Sequence, residues 1–258
     1  MSDNQQRLAG RTALITGGGR GIGRAVALAY ARQGANVALL ARTTSEIEQV
    51  AVEIEALGQP ALVCSADVRH PDEVQQACQQ MLTAWGRIDI LFAAAGVRAV
   101  FPSQELPIER WQEVLDINLT GSLLCCQAVF PAMQAAGYGK IILVGSMQAH
   151  SGAPNRAAYI ASKTGLLGLT HALGVEWARN GINVNLLSPG YFDTDIIRRQ
   201  IAIGQLDLAA IERRTPMGRI GRMEDLTGPA VFLASAESDF MCAQTLVIDG
   251  GWLAYGFL

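Results

Sequence analysis

Short apolar runs and longer amphipathic stretches alternate along this chain. RTALIT (11–16) leads through a glycine-rich turn into RAVALAYARQ, and NVALLA (36–41) leads into TTSEIEQVAVEIEALG. PALVCSA (60–66) is followed by HPDEVQQACQQMLTAWG, and RIDILFAA (87–94) comes before a further long helical pattern. Runs of five to eight apolar residues without polar alternation fit strands buried on both faces, and the longer stretches carry the helical period. Strand and helix in strict alternation predict an α/β protein whose parallel sheet is covered by helices on both faces.

The second half continues the pattern. A helical period runs from Pro107 to Met133, a fifth strand from Lys140 to Gly145, and a helix through LLGLTHALGVEWARNG. INVNLLSPG is a sixth strand, MEDLTGPAVFLAS a final helix and TLVIDGG a final strand. Between them, 191–222 is charged and shows no single period, which predicts a lid over a site rather than core. The tail WLAYGFL is too apolar to be left in water, so it is expected to pack on a neighbouring subunit. With no linker, repeat or low-complexity segment, 1–258 reads as one domain.

Composition narrows the classes. Half the residues are apolar, yet no uninterrupted apolar run approaches the roughly 20 residues of a membrane span. The polar start, MSDNQQRLAGR, lacks the apolar core of a secretory leader and points to the cytoplasm. The five cysteines show no CxxC or Cys/His metal spacing, so no metal is expected and they read as reduced core residues. A net charge of −3 with dispersed arginines gives no support to nucleic-acid binding.

Candidate chemistry concentrates in 145–163. Tyr159 and Lys163 are four apart, which on a helix puts an ammonium beside a phenol and favours its ionised form. Ser146 closes the run IILVGS, so its hydroxyl falls at the carboxyl edge of a strand, where a carbonyl would meet two hydroxyl donors. The chain has 18 arginines and two lysines, Lys140 and Lys163. A lysine kept against that bias suits a position where an ammonium must shift its pKa and pass protons, which a guanidinium cannot do.

The glycine turn Gly17-Gly18-Gly19-Arg20-Gly21-Ile22-Gly23 stands between a strand and a helix, the context a dinucleotide pyrophosphate requires. The second strand ends in Ala41-Arg42 with no acid to bind a ribose 2′-hydroxyl. Arg20 and Arg42 can instead grip a 2′-phosphate, so NADP(H) is favoured and NAD(H) remains open; the plainer alternative makes Arg42 a solvated start to the next helix. Asp67 either accepts from an adenine amino group or caps the following helix. Gly96 permits close backbone approach, and Asn118, an amide inside an apolar stretch, either bonds a backbone carbonyl or holds a water.

Together these residues resemble the short-chain dehydrogenase/reductase family over essentially the whole chain. The family's glycine motif matches Thr16 to Gly23, and Asp67, Asn118, Ser146, Tyr159, Lys163 and Pro189-Gly190 fall in its order. The resemblance implies a single doubly wound Rossmann domain with strand order 3-2-1-4-5-6-7, assembled as a homotetramer. It implies that Tyr159 moves the proton, Lys163 lowers its pKa and holds the nicotinamide ribose, Ser146 polarises the carbonyl and Asn118 anchors a water. Val68, Ala94, Phe192 and Thr194 join the glycines and arginines as implied cofactor contacts. Two departures stand out: Ala93-Ala94-Ala95-Gly96 replaces the usual Asn-Asn-Ala-Gly, which puts the local support of the sheet in doubt, and Phe192 replaces a smaller aliphatic.

SPGYFDTD and DGGWLAYG look like stretches of the sugar-acid members, the gluconate 5-dehydrogenase and ketogluconate reductase group. Arg98, His150 and Arg156 flank the expected site, either as anchors for a polyhydroxy acid or as solvated loop residues. A reductase of 3-oxoacyl thioesters on an acyl carrier protein would use the same residues, but no basic patch for an acidic carrier is evident. A non-catalytic nucleotide-binding regulator would be expected to have lost Tyr159 or Lys163, and both are present.

Overall fold

A computed structural model describes residues 6–256. Seven strands form one parallel sheet: β1 (Thr12–Thr16), β2 (Asn36–Ala41), β3 (Ala61–Ser65), β4 (Ile90–Ala93), β5 (Gly139–Val144), β6 (Ile182–Pro189) and β7 (Thr245–Ile248). Their order is β3-β2-β1-β4-β5-β6-β7, the order the family resemblance implied. The order reverses between β1 and β4, and in such sheets the crevice beyond the carboxyl ends at that point receives the ligand.

The inner strands β1, β4 and β5 are buried on both sides, which is why their sequences do not alternate. Ala13 and Ile15 of β1 face one apolar layer while Leu14 faces the other. The first layer is completed by α1 (Gly21–Arg32), α2 (Thr44–Ala56) and α9 (Met223–Ala234), through Val26, Ile47, Val50, Leu226 and Val231. The second is completed by α3 (Pro71–Trp85), α5 (Gly121–Ala136) and α6 (Ala157–Trp177), through Val74, Met81, Val129, Leu166 and Trp177. Helix ends follow local chemistry: α3 opens on Pro71 with Asp72 and Glu73 in its first turn and stops at Gly86, whose φ of 71° suits glycine.

The long helical pattern after Pro107 is two helices in line, α4 (Ile108–Leu115) and α5, joined by a π-helical turn, Asp116–Thr120. By length and composition this 29-residue stretch could cross a membrane, which the absence of an unbroken apolar run had not led us to expect. Here it is a core helix, with Cys125, Cys126, Val129 and Met133 fully buried. The segment expected to be a lid without regular structure contains two short helices, α7 (Asp195–Ala202) and α8 (Leu208–Arg214). Each has a side-chain N-cap, Thr194 and Asp207 respectively, and each buries a single residue, Ile197 and Ile211. Helices this short leave too few apolar positions to show a period.

The aromatics of the tail make contacts within the chain. Trp252 packs edge-on against Tyr191 with ring centroids 5.3 Å apart, and Arg214 lies over both Trp252 and Tyr255. These aromatics therefore find partners within the same chain; Phe257 and Leu258 lie outside the described residues. All five cysteines are free thiols, four of them buried.

Candidate active site

The glycine turn leaves β1 at Thr16 and enters α1 at Gly21. Gly17 has a φ of 66°, and a Cβ there would sit 3.0 Å from the Ala95 backbone. At Gly23 a Cβ would lie 2.2 Å from the Gly17 carbonyl oxygen, so no larger residue fits without opening the turn. The first turn of α1 carries no acidic residue and no side-chain cap, leaving its N–H groups and the positive end of the helix dipole uncompensated. This cradle fits the pyrophosphate of a dinucleotide.

A cleft of about 320 Å³ runs from this turn across the ends of β1, β4 and β5 to the lid. Gly17, Gly19, Arg20, Gly21, Ile22 and Gly23 line one end together with Arg42, Asp67 and Val68. Ala94 and Gly96 form the middle; Ser146, Tyr159, Lys163, Pro189, Gly190, Phe192 and Thr194 form the other end. The structure thus brings every residue expected at the cofactor onto one surface. Leu40, Thr43, Glu46, Ile117, Asp195 and Ile196 also line it, and none of these carried a motif by which the sequence could have found them.

At the far end, Arg20 and Arg42 are mostly exposed, each 3.9 Å from a carboxylate, Glu46 and Asp67 respectively. Asp67 caps nothing. Its carboxylate takes a paired contact from Arg69, with Nη2 at 2.6 Å and Nε at 3.0 Å, and the Arg69 hydrogen bond holds its pKa below the usual value. The residue before α3 is His70, which makes no side-chain cap, so the capping alternative is not realised.

Asn118 is fully buried at the π turn, with both amide N–H groups and one lone pair of its oxygen hydrogen-bonded. Oδ1 accepts from the Val97 N–H at 2.8 Å, while Nδ2 donates to the Val97 carbonyl at 3.0 Å and to Ser162 Oγ at 3.0 Å. Thr16 Oγ1 accepts from the Ala95 N–H at 3.1 Å. The chain leaving β4 is therefore held from β1 and from the π turn, so the missing amides of Ala93 and Ala94 do not leave it unsupported. Gly96 fits between these groups: a Cβ there would lie 3.3 Å from Asn118 Oδ1 and 3.7 Å from Lys163 Nζ.

Ser146, two residues past β5, faces α6. Its Oγ accepts from the Gln148 N–H at 3.1 Å, and the hydroxyl shares the cleft with Tyr159. Burial raises the Tyr159 phenol above its ordinary pKa; the Ser146 hydroxyl and then the charges of Arg98 and Arg156 pull it back. Lys163 is buried one turn along α6, donates to the Val144 carbonyl at 2.6 Å, and has its ammonium 5.8 Å from the Tyr159 ring centre. Burial lowers its pKa to about 8. The direct Tyr159–Lys163 pairing expected from their spacing is thus looser than anticipated, and two guanidiniums contribute where one ammonium was expected.

Of the three residues expected at the substrate, Arg98 lines the cleft and donates to Gln200 of α7 at 3.1 Å. Arg156 stands just before α6, half-buried and close enough to act on Tyr159. His150 is not brought to the cleft wall; its Nε2 lies 3.3 Å from Ser188 Oγ. Phe192 is buried and packs on Gly221, where a Cβ would meet its ring at 2.5 Å.

A family model for short chain dehydrogenases matches residues 11–202. The chain is 38% identical to sorbitol dehydrogenase of Cereibacter sphaeroides, over 96% of this chain and 100% of that protein. It is 36% identical to gluconate 5-dehydrogenase of Gluconobacter oxydans, over 95% of each. A crystal structure of a gluconate 5-dehydrogenase from Burkholderia cenocepacia, in complex with NADP and tartrate, superposes with a TM-score of 0.92 at 37% identity, covering 98% of each chain. The chain belongs to the short-chain dehydrogenase family, oxidoreductases that act on CH–OH groups with NAD(P).

Proposed function

We propose that this enzyme uses NADP(H) to interconvert a secondary alcohol and a ketone on a sugar acid or polyol, with Tyr159 as the acid and base. The observation that carries the reading is that Ser146, Tyr159 and Lys163 line one end of the same cleft that begins at the glycine turn. The cofactor, when bound, supplies or accepts the hydride. In reduction Tyr159 gives its hydroxyl proton to the carbonyl oxygen as the carbon is reduced, and Ser146 donates a hydrogen bond to that oxygen. Lys163, held by Val144, keeps a positive charge near the phenol and returns protons to it; Asn118 and Ser162 are the polar groups that can hold a connecting water.

Arg20 and Arg42 support NADP(H) over NAD(H): both line the adenosine end, and their present carboxylate neighbours at 3.9 Å are too distant to count as tight pairs. The binding of NADP by a structure so similar in sequence and fold supports the same preference. Residues 191–222 act as the lid, Arg98 reaching α7 through Gln200. Exposed Ile108 and Val175 on α4 and α6 support assembly into a tetramer, and the buried free thiols suit the reducing cytoplasm.

The test is oxidation of NADPH and, separately, NADH by purified protein with 5-keto-D-gluconate, a simple ketone and an acetoacetyl thioester. Turnover of the keto acid with NADPH is expected. Activity confined to NADH overturns the cofactor reading, and activity confined to the thioester overturns the substrate class in favour of an acyl-carrier reductase.

A further inference from the structure

Two of the 18 arginines, Arg98 on the cleft wall and Arg156 one helical turn before Tyr159, have no acidic partner among the described residues. Other guanidiniums of the chain are closely paired, among them Arg24 with Glu53, Arg69 with Asp67 and Arg219 with Asp225, each at 2.6 Å, while Arg214, which also has a buried unpaired Nη1, lies over the rings of Trp252 and Tyr255. Arg98 has only the neutral amide of Gln200, and Arg156 Nη1 is buried without any hydrogen-bond partner among the described residues. The nearest lid carboxylates by sequence, Asp193 and Asp195, are engaged by Arg198 at 2.7 Å and 3.6 Å.

Local structure holds the two guanidiniums in place. Asn155 adopts a left-handed φ of 61°, and its carbonyl accepts from the Phe101 N–H at 3.2 Å, tying the turn before α6 to the segment that carries Arg98. The Arg156 carbonyl in turn accepts from the Ile160 N–H at 2.9 Å, which fixes Arg156 one helical turn from Tyr159. Burial and the neighbouring Arg98 charge both disfavour the charged form of Arg156. A buried donor left unpaired and two like charges left uncompensated are costly to the fold, and an anion placed against them relieves both costs.

We infer that Arg98, on the cleft wall, and Arg156, behind it, form a subsite that receives a carboxylate of the substrate and so sets a preference for sugar acids over neutral polyols. This rests on the reading of Tyr159 as the reacting group, because the subsite is defined by its place beside that phenol.

D-gluconate and D-sorbitol form a suitable probe pair, since they differ at one end by a carboxylate against a hydroxymethyl group. The ratio of kcat/KM for gluconate to that for sorbitol is measured with NADP in the wild type, Arg156→Met and Arg98→Met, with gluconate binding titrated calorimetrically in each. The ratio should fall at least about tenfold in both variants, with gluconate binding weakened in parallel. A ratio within about twofold of wild type in both overturns the subsite. Should the wild type turn over neither compound, the functional reading fails, and the titration alone decides: gluconate binding lost in the variants supports the subsite, and equal or absent binding in all three overturns it. Arg156→Lys, which keeps the charge but not the fork, stands in if Arg156→Met does not fold.

Discussion

Asn118 grips Val97 by both of its backbone polar groups, accepting from the N–H at 2.8 Å and donating to the carbonyl at 3.0 Å. The same amide reaches Ser162, so one side chain joins the chain leaving β4 to the helix that carries Tyr159 and Lys163. Asn118→Ala would strand these groups and should lower stability by about 2 kcal/mol, read by urea unfolding. It should also reduce kcat by more than it weakens NADPH binding. An unchanged kcat would remove Asn118 from the proton path and leave it a purely structural clasp.

The pH dependence of stability carries a signature of Lys163. Burial holds its folded pKa at about 8, below the ordinary lysine value of 10.5. Between those values the unfolded chain holds the proton and the folded chain does not, so unfolding takes up a proton and stability from this group rises with pH. The full cost, about 3 kcal/mol, applies below the window. Tyr159, raised by burial, acts in the opposite sense above about pH 10. From pH 8 to about 9.5 the wild type should therefore show a steeper rise, by up to about 1 kcal/mol per pH unit, than Lys163→Met. Parallel curves would mean the ammonium is not strained by burial.

Arg20 and Arg42 reach the adenosine end of the cleft from different elements, the glycine turn and the end of β2. Charge-assisted contacts to a phosphate are worth about 1.5 to 3 kcal/mol each, so Arg20→Ala combined with Arg42→Ala should raise the KM for NADPH at least tenfold, by roughly two such contacts at most. The KM for NADH should change far less. An equal change for both cofactors would contradict recognition of the 2′-phosphate.

Phe192 and Gly221 are a matched pair, joined by a backbone bridge and by the ring that occupies the space of a Gly221 side chain. Gly221→Ala should destabilise the base of the lid by about 1 to 3 kcal/mol and depress activity. Adding Phe192→Val should restore part of both, giving a non-additive double-mutant cycle. Additive losses would show that the two positions act independently.

Much of this was legible in the sequence because the relevant signals are local. The runs ALI, VALLA and IILV are apolar for the same reason that their strands are buried on both faces, and a glycine at 23 is demanded by a contact within one turn, with the Gly17 carbonyl. Lys163 stands out against the arginine bias, whereas the second lysine holds the fold: Lys140 is buried in β5 and bonded to Asn183 and Asp239. What was not legible depends on residues far apart in the chain. The π turn lies where Asn118 reaches Val97. The segment after β4 is joined to the turn before α6 by the bond between Phe101 and Asn155, and Trp252 packs edge-on against Tyr191. No period or spacing encodes such meetings.

The central claim is that the Tyr159 hydroxyl moves the proton during hydride transfer, and the most direct measurement is NADPH oxidation with 5-keto-D-gluconate by the wild type and by Tyr159→Phe, alongside NADPH binding to each by fluorescence. Removing only the hydroxyl should cut kcat by at least about a hundredfold, the usual scale of general acid catalysis, while the variant folds and still binds NADPH. A variant that turns over within about tenfold of the wild type would show that another group supplies the proton and would contradict the account.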